Sequence, residues 1–417
     1  MLTLPDSSLP ADGLTTIRRR FVLLSLTASS SLGLVASGIY VPSVPAIAHQ
    51  LHTSIARVQF TFAAYLAAFA VSMLVLGPLS DYFGRRRTVL CGLGLSALAS
   101  LICAVSPTIE ILIAARVLQA IGACAGMVVG RALTREIWGP AAAAQVIAGR
   151  AIAATLMQAS APVLGGFLQA WIGWRANFVA VAALAVFAML LMVRCVPDRG
   201  AVLAQAPGLQ GILAGYRALV ATRRFLGYAF AAAGAHAGFH IFAAGAPAVL
   251  IGKFSMTPEK YGLYAALPPL GFLIGSFLSS RLTNRLGVNR MITIGATVLI
   301  PAGLLMVTLA LLSYHGPLAI IGPMIFVCCG SGLVTPNATA GSLGANPRII
   351  GAASGLGSFI QMAGAASATA ALSFGPAGSP LVLALIIACA GLFCATAFGS
   401  LLSSQPLPAA AHVRAPV

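Results

Sequence analysis

The chain has 417 residues, 59% of them hydrophobic and only 7% charged, with 24 basic side chains against 7 acidic ones and a formal net charge of +17. Soluble globular domains carry about 25% charged residues, so this composition excludes a soluble fold and points to a chain threaded through lipid. In that setting a basic excess meets anionic lipid and says which side of the membrane the loops face, so it argues for no nucleic-acid partner.

A spanning helix needs about 20 apolar residues, and the spans are read from the gaps between charged side chains. Residues 21–48 carry no charge and form the first. Arg18-Arg19-Arg20 before this run and Ala46-Ile47-Ala48 at its end mimic a cleaved signal peptide. A signal core is roughly 7 to 15 residues, however, so the longer run reads as a permanent span. Residues 60–80 supply the second span, and the turn that follows is the most informative stretch of the chain, because residues 76–87 place Asp81 and Arg85-Arg86-Arg87 between two long apolar runs. Residues 88–109 form the third span, 111–134 a fourth interrupted by Arg116 and Arg131, 151–174 a fifth and 176–193 a sixth.

Residues 194–224 then mix polarity, with Pro197, Asp198, Gly200, Pro207, Gly208 and Gly211, and read as the hinge between two halves. Their portion 208–222 reads either as an amphipathic helix on the membrane surface or as plain linker. The seventh span, 225–252, contains His236 and His240; the eighth and ninth are 261–280 and 291–314. Between those two, Asn284-x-x-Gly287-x-x-Arg290 repeats the skeleton of the first charged turn in weaker form. Residues 316–345 form the tenth span, and the uncharged run 349–411 is divided by Phe374-Gly375-Pro376-Ala377-Gly378-Ser379-Pro380, where a helix cannot easily continue.

The expectation is an all-α membrane protein of twelve transmembrane helices in two pseudo-symmetric six-helix bundles, 21–193 and 225–403, with tails 1–20 and 404–417 and a linker 194–224. A duplicated bundle of this kind is the architecture of a secondary transporter. With the N-terminus cytoplasmic, the inner side collects Arg18, Arg19, Arg20, Arg85, Arg86, Arg87, Arg131, Arg135, Arg150, Arg194, Arg199, Arg217 and the arginines of the second half. The outer side keeps Arg57, Arg175, Lys253 and Lys260, so both termini are expected in the cytoplasm. The eight cysteines fall in or beside helices, which argues against a disulfide or metal framework; no metal and no cofactor is expected.

The acids Asp6, Asp12, Asp81, Glu110, Glu136, Asp198 and Glu259 all fall in loops, tails or helix ends, leaving no mid-membrane carboxylate to carry a proton. His236 and His240, four residues apart and so on one helix face, are the candidates to replace it, since histidine titrates near pH 6.5. The alternative is a pair of hydrogen-bonded packing residues. Gln119, Gln158, Asn337 and Gln361 are uncharged polar groups within spans that either bind ligand or join helices. Arg116, expensive at mid-span, should face a polar cavity or a partner, unless it snorkels to the surface near Glu110. Gly351-x-x-x-Gly355 and Gly341-x-x-Gly344 read as helix-packing positions.

Gly77-x-x-x-Asp81-x-x-Gly84-Arg85-Arg86-Arg87 resembles the signature loop of the major facilitator superfamily, in which this turn latches the two halves together. Gly77 is expected to permit a close helix crossing and Gly84 a tight turn. Arg116-Val117-Leu118-Gln119-Ala120-Ile121-Gly122-Ala123 resembles the superfamily's second motif, whose arginine lies inside the bundle. The stretch from Gly126 to Glu136 is similar to the bicyclomycin/chloramphenicol (Bcr/CflA) exporter subfamily, and by that resemblance Glu136 joins Asp81 and Arg85 in the latch. Ala161-Pro162-Val163-Leu164-Gly165-Gly166 looks like the motif of drug/proton antiporters, with Pro162, Gly165 and Gly166 shaping the helix. Gly173-Trp174-Arg175-Ala176-Asn177-Phe178 and Thr335-Pro336-Asn337-Ala338 are further subfamily-like stretches. Many members carry an aspartate two residues before the tyrosine that ends span one; here, before Tyr40, that position is Gly38.

The resemblance implies a monomeric exporter in the bacterial inner membrane, exchanging protons for small amphipathic compounds, drugs among them, by alternating access. The missing mid-span acids disfavour cationic substrates and keep open an uncoupled or proton-linked facilitator or exporter of sugars, nucleosides or amino-acid derivatives. A non-transporting sensor and an intramembrane enzyme are the readings from other classes. No phosphate-binding loop, His-Glu-x-x-His or Gly-x-Ser-x-Gly is found, so neither ATP drive nor enzymatic activity is expected.

Overall fold

The computed structural model describes residues 16–196, 209–314, 316–345 and 349–402. The expected tails before residue 16 and after 402, and the centre of the linker at 197–208, lie outside the described residues. No strand occurs among the described residues. The first half consists of α1 (Thr16–Gly38), α2 (Val44–Gln50), α3 (Ile55–Phe83), α4 (Arg85–Val105), α5 (Ile109–Trp171) and α6 (Trp174–Cys195). A short surface helix, α7 (Leu209–Val220), follows. The second half consists of α8 (Arg223–Pro247), α9 (Pro258–Ala265), α10 (Leu267–Leu286), α11 (Val288–Leu311), α12 (Pro317–Leu343), α13 (Ile350–Ala370) and α14 (Pro380–Leu402).

Among the described residues eleven stretches are long and apolar enough to cross a membrane, and α5 supplies two of them, Ile109–Gly139 and Gln145–Trp171. They meet at Gly139, whose φ of +73° breaks the helix. The twelfth span is α13, which its Gly, Ala and Ser content makes less apolar; at 21 residues it still extends about 32 Å. Its small side chains let it lie between α3 of the first half and α8 of its own. Span one ends at Gly38, and Pro42 and Pro45 then start a 3₁₀ turn and α2. Span eight is split at Ala266, just before Pro268-Pro269 opens α10. Between spans eleven and twelve the chain turns at Ala371–Phe374 and Gly378, as the Gly/Pro cluster anticipates.

The duplication is written in the backbone. Gly84 (φ +92°, ψ 133°) ends α3 and opens α4, while Gly287 (φ +81°, ψ 159°) ends α10 and opens α11. A side chain at either position would strain this left-handed turn, which is why glycine returns there. Helix order places both turns at the arginine-rich end of the molecule, and Arg57, Arg175, Lys253 and Lys260 at the other.

Two expectations are corrected. Gly77 makes no close crossing: a Cβ built there meets nothing within 4 Å. Arg150, counted among loop arginines, is 5% exposed and lies in the interior of the first half.

Candidate functional site

The seam between the halves holds a two-lobed cleft. One lobe, toward the arginine-poor end, is lined by Ser37, Gly38, Val41, Phe62, Pro162, Phe242, Ala243, Tyr261 and Ala265. The other is lined by Thr155, Ala235, His236, Pro269, Phe272, Cys328 and Ser331, and Gln158 and Phe239 border both. The walls are aromatic and apolar with a few polar groups, the usual make-up of a small-molecule site. No Asp, Glu, Lys or Arg lines either lobe among the described residues. Among the described residues, two enclosed polar atoms here have no hydrogen-bond partner: the Tyr261 hydroxyl and Nε2 of His236.

The helical spacing of α8 brings His236 and His240 together, with ring centroids 4.6 Å apart. Nδ1 of His240 lies 3.2 Å from the His236 carbonyl oxygen, so in the neutral ring it carries the proton and donates. His240 is buried, its ring 6.2 Å from Phe62 of α3, which makes it a contact across the seam. His236 is half-buried and faces the cleft.

Arg116 is fully buried in α5. One guanidinium nitrogen donates to the Ala36 carbonyl at 2.9 Å and to Oε1 of Gln119 at 2.6 Å, and Nε2 of Gln119 in turn donates to Ser100 at 2.7 Å. The rings of Tyr40 and Tyr65 lie 4.3 and 4.1 Å from the guanidinium carbon. Insertion scales charge about 2.5–3.5 kcal/mol for an arginine at mid-span, and desolvated cation–π contacts contribute about 2 kcal/mol each, so the two rings offset the burial. Glu110 pairs instead with the exposed Arg57 at 3.1 Å, so Arg116 does not snorkel. Neither lobe is lined by Arg116 or Gln119. Tyr40, in the turn after α1, and Tyr65 of α3 enclose this cation, a role no local sequence pattern marks.

At the arginine-rich end, Arg85 bridges Asp81 at 3.2 Å and Glu136 at 3.0 Å, while Arg86 donates to the Val193 carbonyl at 2.8 Å. Arg85, Arg86 and Arg87 occupy the first turn of α4, where cations oppose the helix dipole, so the two carboxylates compensate charge that the helix itself disfavours. The second-half repeat keeps the turn at Gly287 but puts the neutral Asn284 where Asp81 stands, and no ion pair engages Arg290 among the described residues.

Arg150 donates to the carbonyls of Gly130 at 2.9 Å and Leu26 at 2.7 Å, and to the hydroxyls of Thr134 and Ser30. It ties the two arms of α5 to α1. Its signal in the sequence was its position inside an otherwise apolar stretch after Gly139.

Pro162, Gly165 and Gly166 lie in the second arm of α5. Gly165 crosses the Ile39 carbonyl just after α1, and Gly166 crosses Pro258 at the start of α9. Across the same junction a methyl on Gly262 would sit 2.5 Å from the Pro162 carbonyl oxygen. Gln59 donates to the Ala244 carbonyl at 3.2 Å, further closing the seam at the arginine-poor end. Asn337 donates to Ser279 at 2.7 Å and to the Leu333 carbonyl at 2.8 Å, and accepts from Thr283 at 3.0 Å, joining α12 to α10. Gln361 is half-buried on α13. Neither Asn337 nor Gln361 lines the cleft lobes, whereas Gln158, Tyr261 and the four phenylalanines do.

The model of the Major Facilitator Superfamily matches residues 26–369. The bicyclomycin resistance protein homolog of Haemophilus influenzae is 26% identical over 336 residues, 80% of this chain and 84% of that protein. Multidrug resistance protein D of Escherichia coli is 26% identical over 343 residues, 82% of this chain and 86% of that protein. The solved structure of nucleoside transporter NupG superposes with a TM-score of 0.71 at 13% identity, covering 92% of this chain and all of that one (100%), a likeness of fold.

Proposed function

The chain belongs to the major facilitator superfamily, and on that premise we propose that it exports small amphipathic compounds, antibiotics among them, in exchange for protons. It is a multi-pass membrane transporter, and the two-lobed cleft supports the reading of where substrate sits. Aromatic walls suit an apolar body, and Gln158, Tyr261 and His236 supply orientation. With no carboxylate on the cleft, uncharged or anionic compounds are favoured over cations. Gly38 lines the cleft, so an aspartate there, as many subfamily members have, would face the substrate. Its replacement by glycine leaves His236 as the titratable group best placed to exchange a proton.

The excess of arginine at one end supports a cytoplasmic location for that end and for both termini in the bacterial inner membrane. On that orientation the crossings at Gly166 and Gly262 close the outer side. The ion pairs of Arg85 stay within the first half in this state. The proposed latch engages the second half when the inner side closes, and the bundles 21–193 and 225–403 rock about the cleft with 194–224 as their hinge. No catalytic step and no partner subunit enters this cycle.

The observation that carries the proposal is a charge-free aromatic cleft between the halves that contains one unpartnered histidine nitrogen. Proteoliposomes of the purified chain with an imposed pH gradient, loaded in turn with chloramphenicol, a sugar and a nucleoside, test it. Chloramphenicol movement abolished by an uncoupler is expected. Movement indifferent to the uncoupler would refute proton exchange, and movement of only the sugar or nucleoside would refute the drug reading.

A further inference from the structure

We propose that a pocket at the arginine-poor end of the seam, apart from the central cleft, binds a small uncharged alcohol or primary amide on a short aliphatic body and thereby holds that side shut. Binding there does not depend on what the central cleft carries.

The pocket holds about 230 Å³ of empty space, room for a compound of fragment size. Gln59 of α3 forms one wall. The second half forms the others: Val249 just after α8, Leu372 in the turn Ala371–Phe374, and Val382 and Leu383 in the first turn of α14. Pro376 and Ala377 also line the pocket and are exposed, so its rim meets solvent. No Asp, Glu, Lys, Arg or His lines it among the described residues, and an ion enclosed there would lose its hydration without a counter-charge.

Gln59 supplies the polar contact. The residue is 4% exposed, and its Nε2 donates to the Ala244 carbonyl at 3.2 Å. That bond fixes which end of the amide is oxygen, because a carbonyl only accepts. Oε1 is enclosed and has no partner among the described residues. An enclosed acceptor left unpaired is costly, so a ligand that brings an O–H or N–H removes that cost. Ser379, also on the pocket, accepts from the Val382 N–H at 3.4 Å and keeps its own hydroxyl proton for a ligand oxygen. Hydroxyl and primary amide groups carry both a donor and an acceptor, and the branched walls take the aliphatic part. An ether of similar size leaves Oε1 unpaired.

Because the walls come from both halves, the pocket is whole only while this side is closed. Gln59 reaches Ala244 of α8 across the seam, and the Ser373 hydroxyl donates to the Ala56 carbonyl of α3 at 3.4 Å, so two bonds cross the boundary beside the site. Parting the halves here takes Gln59 away from Val249, Leu372 and Val382 and divides the pocket. A ligand that binds the undivided pocket therefore favours the closed state by mass action, about threefold once its free concentration is twice its dissociation constant.

Binding to the full chain in lipid nanodiscs, read by the fluorine relaxation of 4,4,4-trifluorobutanol and of its methyl ether against empty nanodiscs, tests the inference. The wild type should prefer the alcohol by about five- to tenfold, the worth of one hydrogen bond. Gln59→Met keeps the bulk without the acceptor and should bind the two probes alike. Val382→Phe fills the pocket from the second half, leaves the bond from Gln59 to Ala244 in place, and should lose both. In a cysteine-free chain carrying Ser37→Cys on the cleft, the alcohol at twice its dissociation constant should slow labelling by a membrane-impermeant maleimide from the arginine-poor side about threefold. Val382→Phe should abolish the slowing. Equal affinity of the wild type for the two probes, an alcohol preference that survives Gln59→Met, or undiminished binding to Val382→Phe would overturn the site. Failure of both probes to bind the wild type would mean that the pocket holds only water and would overturn it as well. Selective binding with unchanged labelling would overturn the claim that the ligand holds this side shut.

Discussion

Gly262→Ala perturbs the outer-side junction at a point where the geometry permits little relief. The added methyl would sit 2.5 Å from the Pro162 carbonyl oxygen and 3.0 Å from the Val163 Cα, both backbone atoms that cannot rotate away. Overpacking of this kind costs about 1–3 kcal/mol. The strain acts only while α9 lies against the second arm of α5, so it displaces the equilibrium toward the state in which they part, by roughly 5- to 150-fold. Ser37, on the cleft, makes a reporter. In a cysteine-free background carrying Ser37→Cys, labelling by a membrane-impermeant maleimide from the arginine-poor side should accelerate about fivefold or more. Gly94→Ala, where an added methyl meets nothing within 4 Å, is the control and should label at the parent rate. Equal labelling of Gly262→Ala and its parent, both folded, would refute the claim that this crossing holds the seam shut.

Glu136→Gln and Asp81→Asn each remove one carboxylate from Arg85; because these side chains are 25% to 37% exposed, each should cost less than about 1 kcal/mol of stability while slowing uncoupler-sensitive efflux. Efflux at the wild-type rate with normal protein levels would count against the latch. Arg150→Met strands two carbonyls and two hydroxyls that the guanidinium now serves, and should lower the thermal midpoint in detergent well beyond the effect of Arg217→Met on the surface helix; equal shifts would mean the buried network contributes nothing. Asn337→Ala loses three interhelical or intrahelical bonds, each worth about 0.6–1.7 kcal/mol in membranes, so thermal stability should fall with the ranking of transported compounds unchanged. An altered ranking would place Asn337 in the cleft after all.

How far the residues alone could be read depended on the scale of the feature. The charged turn at 76–87 was legible because it is local: a helix end, a glycine that must take positive φ, and arginines that cannot enter lipid. The return of that turn at Gly287 was legible for the same reason. Arg85 joining Asp81 needed only the four-residue reach of the turn, whereas its bond to Glu136 became readable only through a resemblance. Arg150 looked like one more loop arginine, because nothing in its neighbours says that α1 supplies Leu26 and Ser30 as acceptors. Arg116 stood out as a cation that needs a partner at mid-span, yet no sequence pattern says that the rings of Tyr40 and Tyr65 would enclose it beside the Ala36 carbonyl and Gln119. Asn337 and His236 looked alike as polar groups in apolar helices; one joins α12 to α10 and the other faces the cleft.

That division has a physical cause. Threading through the membrane is decided by sums over about 20 consecutive residues and by the placement of arginines, both properties of the chain in order. The facing of each helix is another matter. In a helix that is apolar all round, lipid and protein neighbours are equally apolar, so no stripe marks the buried side. Only the packed bundles decided that Gln158 and Phe239 border both lobes, that Tyr40 and Tyr65 enclose Arg116, and that Nε2 of His236 is left without a partner.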